Sequence, residues 1–398
     1  MNSNDTPRIA LLGDKPIDFG GSVVSKKRMS TLLDGHVEMI PISLDVSIRE
    51  SDWSGRVEKI ESGGRRSYRI FCADFKVDRS LSPFLGEAML NYDLRRRSWA
   101  ERLVNICREE KVSAIHVYGG FEQRAFIGAY AAAILDLPLV ITYIGQDLEA
   151  RIFGRHLAQT VQAVQAACLI TCKSEHARKI ITGLLRPKCS VEVIRNSTSL
   201  QNFSPDARWE RWGDRPIIGC FAEFRRVVGL DTLLEAYGKL TREGHRFTLG
   251  LGGPFRETEV AYFNRLIEEL PEEARVWQMG RIPHEKMLAA LQACDVSVAP
   301  SFADTSPYKV LEAMLARVPI VGTTAGGIPD LVTDREHALL VPPGDSDQLA
   351  EAILTVLNDE GLRRNMVDSA YQRVTQQFTP EVELDRWLAA YRAAGLCS

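Results

Sequence analysis

The chain has 398 residues, 45% of them hydrophobic and 25% charged, with a formal net charge of −3. That supplies apolar material for two sizeable cores, and it excludes both a disordered chain and a strongly basic nucleic-acid binder. Residues 1–200 carry 28 Lys and Arg against 23 Asp and Glu, and the remainder 21 against 29. The first half is therefore the better host for an anionic substrate or membrane surface, although scattered solvated charge is the ordinary reading. No apolar run approaches the ~20 residues of a membrane span, and the polar opening MNSNDTPR is unlike a secretory signal. The eight cysteines, at 72, 107, 168, 172, 189, 220, 294 and 397, form no CxxC, and several fall in apolar runs. This fits buried thiols in a reduced cytoplasmic setting and offers no metal-ligand spacing.

In chain order, short β-rich apolar runs alternate with helical segments, the pattern of parallel α/β layers. Strands are predicted at Arg8–Gly13, His36–Pro41, Tyr68–Cys72, Ala114–Tyr118, Leu139–Tyr143, Cys168–Cys172 and Val191–Arg195. The polar stretch Asn202–Arg215, with a Pro and a Gly, reads as a linker. The pattern then restarts at Pro216–Phe221, Phe247–Leu251, Val276–Gln278, Val296–Ala299 and Ile320–Gly322, with helices over Leu230–Leu240 and Tyr262–Leu270. Pro380–Leu396 is an amphipathic helix rich in Ala, Leu and Trp. The expected organisation is a Rossmann-like domain over 1–201, a second over 202–379, and a helix over 380–398 open to packing back on the first.

Three segments could carry chemistry. Gly20-Gly21 follows the first strand, where adjacent glycines let amides approach a phosphate at a helix start. The spacing is not GxGxxG and no acidic residue stands at the ribose offset, so a nicotinamide dinucleotide is disfavoured. A plain loop explains this segment equally well. In APSFADTSPYKVLEAMLARVP a strand ends near Pro300, a loop carries Asp304, and a helix carries Glu312 about two turns in. Amides at Asp304–Pro307 suit a diphosphate, Asp304 can accept from sugar hydroxyls, and Glu312 from a ribose. The structural alternative is a helix merely capped by Asp or Ser. Ala325–Pro329 places two glycines at a strand's carboxyl end, where α/β sheets bind ligands, or simply makes a tight turn.

Together these pieces resemble the retaining glycosyltransferases of family 4 (glycosyl transferases group 1), which have the GT-B fold. The resemblance covers most of the chain and is strongest from Pro216 to Gly344, through VPIVGTTAGGIPDLV, HALLVPPGD and MGRIPHEKMLAALQACDVSVAPS, with VIRNSTSLQNFSP where the linker region begins. It implies two Rossmann-like domains facing each other across a cleft. It implies transfer of a sugar from a nucleotide-diphosphate sugar, a UDP-sugar foremost, with retention and without metal or other cofactor. The acceptor, a small molecule, glycan or lipid-linked sugar, would be selected by residues 15–130.

Asp304 and Glu312 fall on the family's E-x7-E motif, with Asp in first place. By the same resemblance Asp304 and Asp147 are catalytic. Donor binding falls to Gly20, Gly21, Gly253, Arg281 and Ile282, to the run Thr305, Ser306, Pro307, Tyr308, Lys309 and Val310, and to Glu312.

The chain also departs from the family. Where an Arg and a Lys usually contact the donor diphosphate, FAEFRRVVGLD places Glu223 and Val228. Arg225 or Arg226, with Lys309, are expected to replace them, since each brings a cation to phosphate. Ile144 stands where the family commonly has a His, and His116 reads as a core residue. These changes leave a rival reading, a catalytically weakened sugar-nucleotide-binding or scaffold partner, and a third, an epimerase or phosphorylase on the same fold. Arg65-Arg66 and Arg95–Arg97 read as solvated faces, the second with Trp99 as a possible headgroup contact.

Overall fold

Alternating apolar runs become two separate parallel sheets. The computed structural model describes residues 6–13, 21–47, 56–73, 87–119, 123–145, 148 and 157–397. By contacts the chain divides into two units. The first comprises Met1–Lys173, Ala177–Ile194 and Leu384–Ser398, and the second Ser174–His176 with Arg195–Glu383.

The first unit contains β1 (Arg8–Gly13), α1 (Gly21–Leu32), β2 (Glu38–Ser47), β3 (Val57–Ser62), β4 (Arg65–Ala73), α2 (Glu87–Glu109), β5 (Ala114–Tyr118), α3 (Gln123–Leu135), β6 (Leu139–Tyr143), α4 (Leu157–Ala166), β7 (Leu169–Cys172), α5 (Glu175–Ile180, crossing the division) and β8 (Val191–Val193). Its sheet order is β3-β4-β2-β1-β5-β6-β7-β8. Every residue of β5 and β6 is buried, as expected of strands covered by helices on both faces. The parallel pattern predicted from sequence has one exception. β3 runs antiparallel to β4, joined at Gly63-Gly64, whose φ values of +58° and +76° suit a two-residue hairpin turn. VEKIES is mostly exposed, so this edge strand carries no apolar run to reveal it.

In the second unit come β9 (Ile217–Phe221), α6 (Leu230–Arg242), β10 (Thr248–Gly252), α7 (Val260–Glu268), β11 (Val276–Gly280), α8 (Met287–Gln292), β12 (Val296–Ala299), α9 (Tyr308–Leu315), β13 (Ile320–Thr323), α10 (Ile328–Leu331), β14 (Leu339–Val341), α11 (Ser346–Asn358) and α12 (Glu360–Gln377). The sheet is wholly parallel, in the order β11-β10-β9-β12-β13-β14. Leu230, Leu233, Leu234 and Tyr237 on α6 bury one face against the sheet core with Ile218 and Val298. Asp345 and Asp359 cap α11 and α12 by accepting from Gln348 N and Leu362 N.

α13 (Pro380–Ala393) returns the chain to the first unit. Its Trp387 and Tyr391 are fully buried with Ile9, Leu11, Tyr118 and Val140. Beneath it, His116 Nδ1 lies 2.7 Å from the Tyr391 hydroxyl and Nε2 lies 2.7 Å from Thr142 Oγ1. His116 is therefore a core residue, as its place in a strand suggests. Burial first, then the Lys173 charge, push its pKa down to about 3.

The unfolded chain binds this proton near pH 6.5, while the folded chain stays neutral until about pH 3. The stability tied to neutral His116 is thus complete above the unfolded value and drains away as pH falls. Between pH 6.5 and 5.5 this one group should remove about 1 kcal/mol, and His116→Gln should flatten that window in denaturant titrations. An unchanged slope in the variant would show that His116 does not carry it.

Trp99 is only 5% exposed and lies in the first core, so it is no headgroup contact. Neighbouring Arg96 is buried over the Phe126 ring, and Arg97 pairs with Glu101 at 2.9 Å. Among the described residues no helix is long and apolar enough to cross a membrane.

Candidate functional site

Strand order selects the place to look. In the second sheet β9 begins the run, later strands extend to one side through β10 and β11, and then to the other through β12. The loops leaving β9 and β12 diverge there, and such a switch point opens a crevice at the strands' carboxyl ends. The segments flanking it are Ala222–Gly229 and Pro300–Pro307, the same stretches that hold most of the sequence candidates.

Glycines let these loops approach. Gly229 has φ +74°, and a Cβ there would stand 2.0 Å from Pro300 O, while Phe302 N donates to Val227 O at 2.9 Å. Gly327 N donates to Asp304 O at 2.7 Å, and a Cβ on Gly327 would stand 1.8 Å from Thr305 O. The two glycines after β13 thus brace the Asp304–Thr305 backbone. Asn196 adds a further hold: its N donates to Ser306 Oγ at 3.1 Å and its Nδ2 to Ser306 O at 2.8 Å.

α9 starts from this braced loop. Pro307, not Asp304 or Ser306, is its N-cap, and it makes no side-chain cap hydrogen bond. The simple capped-helix alternative for Asp304 or Ser306 therefore does not hold. Lys309, in the first turn, has its side chain 12% exposed. Its Nζ donates to Ser301 Oγ at 2.7 Å and lies 3.4 Å from Asp304 Oδ2. Ser301 O in turn accepts from Thr323 Oγ1 at 2.7 Å. Glu312, one turn further along, is buried, with Oε1 3.1 Å from His284 Nε2. Thr305, Ser306 and Val310 are buried, and Tyr308 is partly so.

The other candidates divide. Gly253 follows β10 with φ +126°, its N donating to Gly280 O at 2.7 Å, and a Cβ there would meet Ala222 O at 2.0 Å. That brings the loops after β9, β10 and β11 together, with exposed Arg281 and buried Ile282 following Gly280. Arg225 Nε stands 3.9 Å from Glu223 Oε2, and Arg256 Nε 3.6 Å from Glu223 Oε1. Glu223, a repulsive charge when read in sequence, is thus offset by two guanidinium groups. Arg226 is held elsewhere: its guanidinium lies 4.1 Å from the Tyr262 ring centroid, and its N donates to Glu259 at 2.7 Å. Val228 is 5% exposed and belongs to the core.

In the first unit Gly21 opens α1 and Ile144 packs beside Leu11, Tyr118 and Val140. Gly20 and Asp147 lie outside the described residues. Sequence reading did not single out His284, Ser301 or Asn196, although all three sit inside the quoted motifs. Among the described residues no group of three or more His, Cys, Asp or Glu could hold a metal ion.

The architecture is GT-B, with two parallel-sheet α/β units. Sucrose-phosphate synthase from Thermosynechococcus elongatus shares it with a TM-score of 0.72 at 20% identity, over 97% of this chain and 98% of that one. The Anabaena protein HepE, solved in complex with UDP-glucose, matches with a TM-score of 0.69 at 17% identity, over 97% and 99%. Residues 206–373, which lie within the second unit, match the family model for glycosyl transferases group 1. The chain is 28% identical over 322 residues to the α-D-kanosaminyltransferase of Streptomyces kanamyceticus, spanning 75% of this chain and 82% of the relative. It is 24% identical over 316 residues to the N-acetyl-α-D-glucosaminyl L-malate synthase of Bacillus anthracis, spanning 75% and 79%. These likenesses support a glycosyltransferase.

Proposed function

We propose that the protein is a retaining glycosyltransferase that moves a sugar from a nucleotide-diphosphate sugar to an acceptor selected by the first unit. The observation that carries this reading is the braced loop at the switch point, whose Asp304 lies 3.4 Å from Lys309, with Lys309 one turn ahead of Glu312 on α9. HepE's complex with UDP-glucose supports a UDP-sugar as the donor.

In this reading the donor's anomeric bond ionises toward an oxocarbenium-like state and the nucleoside diphosphate leaves. The largest demand is on stabilising its growing negative charge. The amino-terminal end of α9 and the Lys309 ammonium meet that demand, with Arg225 in the loop after β9. Asp304 accepts from a hydroxyl of the transferring sugar, and Glu312 from the ribose. The acceptor attacks on the face the diphosphate is leaving, so retention needs no carboxylate nucleophile, in contrast to the two-carboxylate glycosidase scheme. No step requires a metal ion, since fixed cations and amides supply the neutralisation.

A donor screen tests the reading by detecting released UDP or GDP from nucleotide sugars with and without acceptor mixtures. Release from no donor would end it. Glu312→Ala should weaken UDP or GDP binding by about 1.5–3 kcal/mol in calorimetry, the cost of losing a charged hydrogen-bond acceptor. Unchanged affinity for both nucleotides would remove Glu312 from the site.

A further inference from the structure

Glu312 is better buried than the other acidic groups of the loop region, its side chain 8% exposed against 31% for Asp304 and 44% for Glu223. One of its two oxygens is engaged. His284 reaches Oε1 at 3.1 Å from a turn 28 residues earlier in the chain, just after β11. The imidazole is 53% exposed, and its ring centroid lies 4.9 Å from that of Phe203, so packing on one side fixes where it stands.

A carboxylate can only accept hydrogen bonds, and its terminal torsion is broad unless something holds it. A donor on Oε1 removes that freedom and leaves Oε2 to accept from another group. Because the imidazole remains half in water, holding it there costs little desolvation, while a bond to an ionised acceptor is stronger than a neutral one.

We propose that His284 is a positioning residue for nucleotide recognition: by holding Glu312 Oε1 it aims Oε2 at the donor's ribose, and so sets the preference for ribonucleotide over dideoxynucleotide diphosphates. This rests on the reading of Glu312 as the ribose acceptor. His284 touches no reacting atom in this scheme and acts through Glu312 alone.

The test measures affinities of UDP, GDP and their 2′,3′-dideoxy counterparts for the full chain and two variants. His284→Phe keeps a ring against Phe203 and removes the donor, and His284→Gln returns an N–H. The Phe variant should lose about tenfold in affinity for the ribonucleotide and less than about twofold for the dideoxy form, the worth of one hydrogen bond to a charged group. The Gln variant should recover most of the loss. Equal weakening of both nucleotides, no weakening at all, or failure of Gln to recover would each overturn the role of His284. Wild-type protein that binds neither UDP nor GDP would instead overturn the ribose reading of Glu312, and this inference with it.

Discussion

Lys309→Met should lower donor turnover by about 100- to 1000-fold, the range seen when one preorganised donor to a developing oxyanion is removed. Methionine keeps the length of the side chain and its apolar stem, so packing within the first turn of α9 changes little. What disappears is the ammonium, which is 12% exposed and held between Ser301 Oγ at 2.7 Å and Asp304 Oδ2 at 3.4 Å. The expectation is large because Lys309 is better buried than Arg225, whose side chain is 27% exposed. Arg226 lies over Tyr262, and Arg225 stands beside Glu223. Charge alone does not restore the arrangement: Lys309→Arg would bring a planar fork where a compact ammonium fits, and should recover only part of the activity. Turnover at saturating donor, with the melting temperature of each variant, separates chemistry from folding. A methionine variant within threefold of wild type would show that Lys309 does not face the leaving group.

Trp387→Ala should destabilise the first unit by about 3–5 kcal/mol, as expected for truncating a buried tryptophan. Trp387 is fully buried, its ring 6.0 Å from that of Tyr391 and 5.9 Å from that of His116. The Lys173 ammonium stands 5.4 Å from the indole centroid, so truncation also removes a cation–π partner inside the core. With two units, denaturation need not be two-state, and the signal should be resolved by hydrogen exchange on separate strands. Protection should fall on β1, β5 and β6 while β9 and β12 keep theirs. Loss confined to the second sheet would contradict the placement of α13.

Much of the fold was legible because buried parallel strands announce themselves as apolar runs. Strands predicted at Arg8–Gly13, Ala114–Tyr118, Leu139–Tyr143 and Val296–Ala299 coincide with those observed. Val57–Ser62 did not stand out because its side chains face water, although the Gly63-Gly64 pair after it was a usable hairpin signal. Leu339–Val341 is a strand of three residues, too short to carry a period.

The candidate site divides in the same way. Asp304, Glu312 and the glycines after β13 were visible because the motif holding them is local. The ties that define their geometry are not local: His284 to Glu312 spans 28 residues and Asn196 to Ser306 spans 110. Arg225 and Arg226 were indistinguishable as neighbours in sequence. Tyr262 on α7 and Glu223 separate them in space.

The discontinuity of the first unit sets an order for making the protein. A nascent chain usually folds its earlier part first, as each segment emerges. Here Trp387, Leu388 and Tyr391 are buried among Ile9, Leu11 and Tyr118, so that core stays open until Leu384–Leu396 has been translated. The second unit has its whole sequence by Glu383 and can close sooner. The part synthesised first is therefore finished last, and through most of translation β1 and β5 wait with one apolar face uncovered. A chain cut short before Leu384 would present that face to chaperones, while the released chain that includes Leu384–Leu396 would not.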